Sequence, residues 1–420
     1  MRTISTVIIK PTKGCNADCS YCCAPPDGAP KWSMAEFRKV FDALEPRLHP
    51  AATLIWHGGE PMLLGPDFYC HAYEYARACH PGIRFSMQSN MLGYNKRWKE
   101  VFRDVFHGSL STSWDPEEIC RTVKGSKELY SRLYHSRMAQ ILEDGWRPKV
   151  ISTFSEETIH LAHEVYDRAI ASASKGQVYD IRLNYRYPAG RASEEGPAIL
   201  PETYARVLLE IYDRWISDAP DFLVTPLDQM FKKVTGDELG RCPWAKGCTG
   251  KIIGLEPNFD IYNCGEFADL AREEFCFGNL LTDGIDACLS SPAARMLAMR
   301  QYKHPDSCKV CIHFSECEAG CMRDSVLFDR GIYGKFYYCH SWQEAFSRIK
   351  ESIMSGEADT ALAKFGHDPD RMRAVVGHRI SSGLERGLTN MRRAIPSINH
   401  VPVLAGQTAP EQEDGNVIAG

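Results

Sequence analysis

The chain has 420 residues, 44% of them apolar and 25% charged, the balance of a soluble globular protein rather than a disordered, fibrous or membrane-embedded one. Its 49 Lys and Arg against 54 Asp and Glu leave a net charge of −5, so no nucleic-acid or anionic-membrane partner is expected. No stretch reaches the roughly 20 apolar residues that cross a bilayer, and 17 cysteines are too many for an ordinary cytoplasmic enzyme and too few for a disulfide scaffold.

In chain order, the first apolar run is Ile4–Ile9. Its core, Val7–Ile9, is too short for a secretory signal and ends at Lys10 and Pro11, so a reducing cytoplasm is expected, where many thiols point to metal. Met34–Leu48 carries Phe37, Val40, Phe41 and Leu44 at i, i+3, i+4 and i+7, one helical face. Strand-like runs at Thr53–Trp56, Ile83–Met87, Ser109–Ser113, Val150–Phe154 and Val178–Leu183 then alternate with helical periods at Asp67–Cys79, Trp98–Val105, Lys127–Leu142 and Glu156–Ala171. The alternation predicts parallel βαβ units and an α/β fold, a partial (β/α)6 TIM-like barrel, since eight strands are absent. Pro201–Ser217 reads as a further helix. Residues 242–340 are short-segmented, with metal expected to replace much of the core. Residues 341–395 read as helical, and the C-terminal residues as a flexible tail.

The cysteines cluster. Cys15, Cys19 and Cys22 form C-x3-C-x2-C directly after the first strand, with Cys23 adjoining, and ten more fall from Cys242 to Cys339. Three thiolates on a short loop can hold three corners of a cubane, leaving the fourth iron open to a substrate or cofactor. Tyr21 could shield such a cluster. The alternative for all these thiols is zinc, which more usually takes paired C-x2-C motifs.

C-x3-C-x-aromatic-C after an N-terminal strand resembles the radical S-adenosylmethionine (SAM) superfamily. Further stretches agree: His57-Gly-Gly-Glu-Pro61 after the second strand, Gln88-Ser-Asn90 after the third, Ser113-Trp-Asp115 after the fourth, and Asn184–Ala192 after the sixth. The resemblance implies that Gly58, Gly59, Glu60, Pro61, Gln88, Asn90, Ser113, Asp115 and Arg121 bind SAM. Glu60 would meet the amino group and Arg121 a carboxylate. Cys15, Cys19 and Cys22 would hold the reactive [4Fe–4S] cluster.

Cys308-x2-Cys311-x5-Cys317-x3-Cys321 followed by Cys339, with Cys242, Cys248 and Cys264 upstream, resembles the SPASM domain of peptide-modifying radical SAM enzymes. The resemblance implies two auxiliary [4Fe–4S] clusters, one on Cys242, Cys248, Cys264 and Cys321 and one on Cys308, Cys311, Cys317 and Cys339. Cys70, Cys79, Cys120, Cys276 and Cys288 are expected to be plain thiols. The implied organisation is a radical SAM partial barrel at 1–235, a SPASM domain at 236–345, a helical segment at 346–398 and a tail at 399–420. Phe259 stands where the domain usually has Gly, so that turn is expected to differ. Gly265 stands where the anaerobic sulfatase-maturating enzymes carry a catalytic Asp, which argues against sulfatase maturation; nearby Glu266 is expected to be solvated.

The implied function is a radical SAM oxidoreductase that cleaves SAM to a 5′-deoxyadenosyl radical. It would cross-link a ribosomally made precursor peptide, through C–C or thioether bonds, with a reductant such as flavodoxin or ferredoxin. The alternatives are a related dehydrogenase or epimerase acting on a protein side chain or small molecule, and a zinc-stabilised interaction protein. The proton-accepting residue is not identified; Tyr185, Arg186, Tyr187 and Asp228 are pocket candidates by position.

Overall fold

The computed structural model describes residues 3–22, 30–116, 120–194, 198–236, 242–244, 247–270 and 272–394. Cys23 and the tail from residue 395 lie outside the described residues. The fold is a mixed α/β architecture on one ten-stranded sheet. In chain order its strands are β1 Ile4–Ile9, β2 Leu48–Trp56, β3 Arg84–Gln88, β4 Leu110–Ser113, β5 Lys149–Phe154, β6 Ile181–Tyr185, β7 Val224–Thr225, β8 Ile252–Leu255, β9 Asp260–Tyr262 and β10 Gly278–Asn279. The spatial order is β10-β9-β8-β1-β2-β3-β4-β5-β6-β7. β1 to β7 pair in sequence order and all in parallel. β8 adds in parallel to the free side of β1, and β9 and β10 follow antiparallel. The cysteine-rich region thus continues the sheet of the first half of the chain.

Helices separate the parallel strands, as side-by-side parallel strands require crossovers. They are α1 Met34–Leu44, α2 Pro66–Cys79, α3 Lys96–Asp104, α4 Lys127–Glu143, α5 Ala162–Ala173, α6 Pro201–Asp218 and α7 Leu227–Thr235. α1 starts in a capping box in which Glu36 N donates to Ser33 Oγ at 3.3 Å and Ser33 N to Glu36 Oε2 at 2.7 Å. Its Phe37, Val40, Phe41 and Leu44 are all buried, each worth about 1.5–3 kcal/mol of transfer free energy. α1 ends at Leu44 because Pro46 follows in a 3-10 turn, Glu45–Arg47.

Three further helices close the chain: α8 Cys339–Ser355, α9 Asp359–Lys364 and α10 Pro369–Ala394. α8 buries Trp342, Ala345, Phe346, Ile349 and Ile353 and packs against α6 and α7. Between residues 242 and 340, Trp244, Phe267, Phe275, Phe277, Leu280, Leu297 and Phe336 are buried and belong to the same apolar core as the first half of the chain. Phe259 adopts φ +73°, a backbone region that glycine enters freely. The Phe259 ring packs on Trp32 at 5.6 Å. No described helix is long and apolar enough to cross a membrane.

Candidate active site and metal centres

The carboxyl ends of the parallel strands converge on the loop after β1. Cys19 pairs with Arg121 across a two-residue ribbon, and Ser20 N donates to Cys120 O at 2.8 Å. From the stretch after β6, Arg191 N donates to Cys22 O at 3.1 Å and Arg191 Nη1 to Asp18 Oδ1 at 2.6 Å. Segments that follow two distant strands thus grip the cysteine loop from two sides. Cys15, Cys19 and Cys22 stand close enough for ionisation of one to oppose that of the next. Burial pushes the Cys15 thiol up to about 12 and raises that of Cys19.

The segment after β2 packs on this loop backbone to backbone. Gly59 N donates to Thr12 O at 3.0 Å and Glu60 N to Gly14 O at 2.9 Å. A Cβ on Gly59 would lie 2.2 Å from Gly14 O, and Gly58, at φ +108°, would meet Thr12 O at 2.6 Å. The glycines are needed first for this contact. Pro61 is buried and accepts from Tyr69 OH at 2.7 Å.

Glu60 is 1% exposed, and its carboxylate accepts three hydrogen bonds, each at 2.8 Å, from Met62 N, Ser89 Oγ and Asn90 N. Burial raises its pKa to about 7, against the pull of these donors. The side chain therefore joins the ends of β2 and β3. Asn90 Nδ2 donates to Asn16 Oδ1 at 2.7 Å and lies 3.8 Å from Cys15 Sγ. Gln88 Nε2 donates to Ser113 Oγ at 3.0 Å, linking the ends of β3 and β4, with both side chains half-buried.

Asp115 and Arg121 are buried together. Arg121 Nε donates to Asp115 Oδ2 at 2.6 Å, Thr153 N donates to Asp115 Oδ1 at 2.8 Å, and Tyr21 OH donates to the same carboxylate. Arg121 Nη1 lies 3.8 Å from Cys19 Sγ. Tyr21 OH also accepts from Arg121 Nη2, so the three side chains form one cluster.

The remaining eight predicted ligands fall into two groups. Cys242, Cys248, Cys264 and Cys321 lie within reach of one another's charge. So do Cys308, Cys311, Cys317 and Cys339, which also line one cavity with His313, Phe314, Phe336, Trp342, Gln343 and Phe346. Burial pushes Cys321 up to about 12 and raises Cys264 and Cys317. Clustered, mutually repelling thiols suit displacement of their protons by metal, and an all-sulfur donor set suits iron–sulfur clusters or zinc. Among the described residues no group of three or more His, Cys, Asp or Glu is gathered as a single-ion site.

Between the strand ends and the Cys264–Cys321 group lies a polar cluster. Tyr185 OH donates to Asp324 Oδ2, Arg323 pairs with Asp324 and, at 3.0 Å, with Glu266, and the Arg323 guanidinium sits 4.0 Å from the centre of the Tyr187 ring. Glu266 is half-exposed but paired rather than simply solvated. Asp324 is fully buried, and burial raises its carboxyl. Arg186 is tied to β5 through its amide, which donates to Phe154 O at 2.7 Å. Asp228 is elsewhere: it accepts from Thr225 Oγ1 at 2.8 Å, beside Lys149, the first residue of β5. It belongs to the opposite end of the strands.

Sequence reasoning missed Arg323 and Asp324, although both follow Cys321 closely. It also missed Lys10, which ends β1 and is 2% exposed. Lys10 Nζ donates to Gly265 O at 2.8 Å and pairs with Glu256 at 2.9 Å and Asp269 at 2.5 Å. Burial disfavours the ammonium, but Asp269 and Glu256 hold its pKa above the ordinary value. A lysine bounding an apolar strand just before a cysteine loop was the available signal.

No protein-family model matches the chain. It is 24% identical over 341 residues to a serine-type anaerobic sulfatase-maturating enzyme of Klebsiella aerogenes, covering 75% of this chain and 79% of that one. It is 24% identical over 315 residues to mycofactocin maturase MftC of Mycobacterium ulcerans, covering 74% and 81%. Its fold matches that of native anSMEcpe with bound AdoMet and Cp18Cys peptide at a TM-score of 0.71, with 17% identity, over 84% of this chain and 99% of the other. In sequence and in fold, the chain is similar to radical SAM maturases that carry a SPASM domain.

Proposed function

We propose that the chain is a radical SAM enzyme that oxidatively cross-links a ribosomally made peptide in the cytoplasm, drawing electrons from a flavodoxin or ferredoxin. The observation that carries the reading is the three-thiol loop at the converging strand ends, held by the segments after β2, β3, β4 and β6. Cys15, Cys19 and Cys22 would hold a [4Fe–4S] cluster with one open iron. Two further clusters would sit on Cys242, Cys248, Cys264 and Cys321 and on Cys308, Cys311, Cys317 and Cys339. With SAM bound, the first cluster supplies a 5′-deoxyadenosyl radical able to take hydrogen from an unactivated C–H bond.

The chain's own residues supply position. Glu60 accepts from Met62, Ser89 and Asn90, and because a carboxylate has about four acceptor sites, it and the backbone of Gly58–Pro61 are what this segment offers to the SAM amino group. Gln88 and Ser113 present polar groups from adjacent strands. Arg121 is neutralised by Asp115, and Asn90 and Arg121 place N–H groups near the sulfurs of Cys15 and Cys19. Hydrogen bonds to ligand sulfurs raise a cluster's reduction potential and ease its reduction. Tyr185 and Asp324 lie between the strand ends and the first auxiliary group, where a substrate proton could leave.

A second reading, oxidation of a single Ser or Cys side chain in a protein, is favoured by the sulfatase-maturating relatives. It requires a base other than the missing Asp at position 265, and Asp324, buried and paired with the Arg323 that also meets Glu266, is the candidate. The test is anaerobic turnover of the reconstituted chain with SAM, reductant and any short peptide found encoded beside its gene. A product lighter by a hydrogen pair and resistant to fragmentation between the joined residues supports cross-linking. A product that gains a carbonyl at one side chain supports the second reading. Absence of 5′-deoxyadenosine contradicts both.

A further inference from the structure

We infer that the carboxyl-terminal half of α10 is a clamp on the loop that brings Cys308 and Cys311 to the second four-cysteine cavity. The inference rests on the reading that Cys308, Cys311, Cys317 and Cys339 hold a cluster. Gly383, Arg386, Gly387 and Asn390 occupy i, i+3, i+4 and i+7, one face of the helix. That face lies on the loop that carries Cys308 and Cys311. A Cβ on Gly383 would stand 2.6 Å from Ile312 O, and one on Gly387 2.9 Å from Val310 O. Both obstacles are backbone atoms, so a neighbouring side chain cannot simply swing aside. The two glycines let the helix approach the loop as closely as a backbone can.

The polar residues on the same face tie down the carbonyls between and beside those contacts. Asn390 Nδ2 donates to Lys309 O at 2.6 Å and Arg386 Nη2 to Cys311 O at 3.2 Å. Lys309 ends a single helical turn, Asp306–Lys309, whose last carbonyls have no partner within it. The Arg386 guanidinium also lies 5.6 Å from the centre of the Phe314 ring, and Phe314 lines the cavity. α8 closes the cavity from another direction, with Trp342 and Phe346 in its wall and Gln343 Nε2 3.5 Å from Cys311 Sγ. The four-residue stretch 309–312 is therefore held between α8, which begins at the ligand Cys339, and α10, which follows the last ligand. Because solvent exposure and hydrogen bonding at sulfur set the potential of a cluster, α10 is a positioning element for the second auxiliary site. It is not a catalytic one.

The test uses the full chain, reconstituted without air, with iron counted first. Gly383→Ala and Gly387→Ala lift the helix, and an Arg386→Ala/Asn390→Ala pair removes the ties without adding bulk. Gly377→Ala is the control: it lies on the same helix, and its Cβ would meet nothing nearer than the flexible end of Met354 at 3.9 Å. Readouts are amide exchange at 309–312, the rate at which air bleaches the auxiliary clusters, and their potentials from spectroscopic titration. The clamp predicts severalfold faster exchange and bleaching, and a shifted potential for one auxiliary cluster, in both glycine variants and in the double variant. Gly377→Ala should match the unaltered chain. Wild-type behaviour in the two glycine variants and the double variant overturns the clamp. A Cys308→Ala/Cys311→Ala chain that loses no iron overturns the cluster reading beneath it, and iron content alone reveals that result.

Discussion

Arg121 and Asp115 form a buried ion pair, Nε to Oδ2 at 2.6 Å, that ties the end of β4 to the loop of the three N-terminal cysteines. Removing one member of such a pair strands the other charge away from water, at a cost of about 3–5 kcal/mol. Arg121→Ala should therefore lower the thermal midpoint markedly and release iron from the first cluster. A residue that only held the SAM carboxylate would leave stability and iron intact and weaken SAM binding alone. Thermal unfolding, iron content and SAM titration on the same variant separate the two roles.

Gly59→Ala forces a methyl group to within 2.2 Å of Gly14 O. Overpacking against backbone costs about 1–3 kcal/mol, and here it displaces the loop that bears Cys15. The variant should fold with reduced stability, keep the two auxiliary clusters and lose most of the first, as read by iron content and by electron paramagnetic resonance of the reduced protein.

Glu60 makes a pH-dependent contribution to stability. Burial raises its pKa from the ordinary 4.5 to about 7 in the folded chain. Between those two values the folded chain holds a proton that the unfolded chain has released, so stability falls as pH rises through that window. Glu60→Gln removes this slope. It also turns an amide N–H toward one of three donors, leaving a buried group unpaired at about 1–3 kcal/mol. Thermal midpoints at pH 5 and pH 8 should differ more for the unaltered chain than for the variant.

Much of the fold was legible because each parallel strand and its helix carry their own signal. Phe37, Val40, Phe41 and Leu44 mark α1 by spacing alone, and all four are buried. The attachment of β8 beside β1 was not legible, since a four-residue apolar run gives no hint of a partner some 240 residues away, as in the pairing of Thr6 with Ile252. At the site, the cysteine spacing pointed to the groups the fold brings together. The partners of individual side chains did not follow from motif position. Glu60 reads as a ligand to an ammonium, and its bonds to Ser89 and two backbone amides had no sequence signal. Asp228 reads as a pocket carboxylate, yet the pairing of β7 with the first residues of β6 carries it to the other end of the strands. Phe259 occupies a left-handed turn that sequence assigns to glycine, because its ring gains Trp32.

The central claim is that Cys15, Cys19 and Cys22 hold a cluster with an open iron that cleaves SAM. The most direct measurement compares the unaltered chain with one in which all three are changed to Ala, each reconstituted without air and supplied with SAM and a reductant. About twelve irons should fall to about eight, as one of three cubanes is lost, and 5′-deoxyadenosine formation should vanish. Undiminished iron, or continued formation of 5′-deoxyadenosine, would contradict the account.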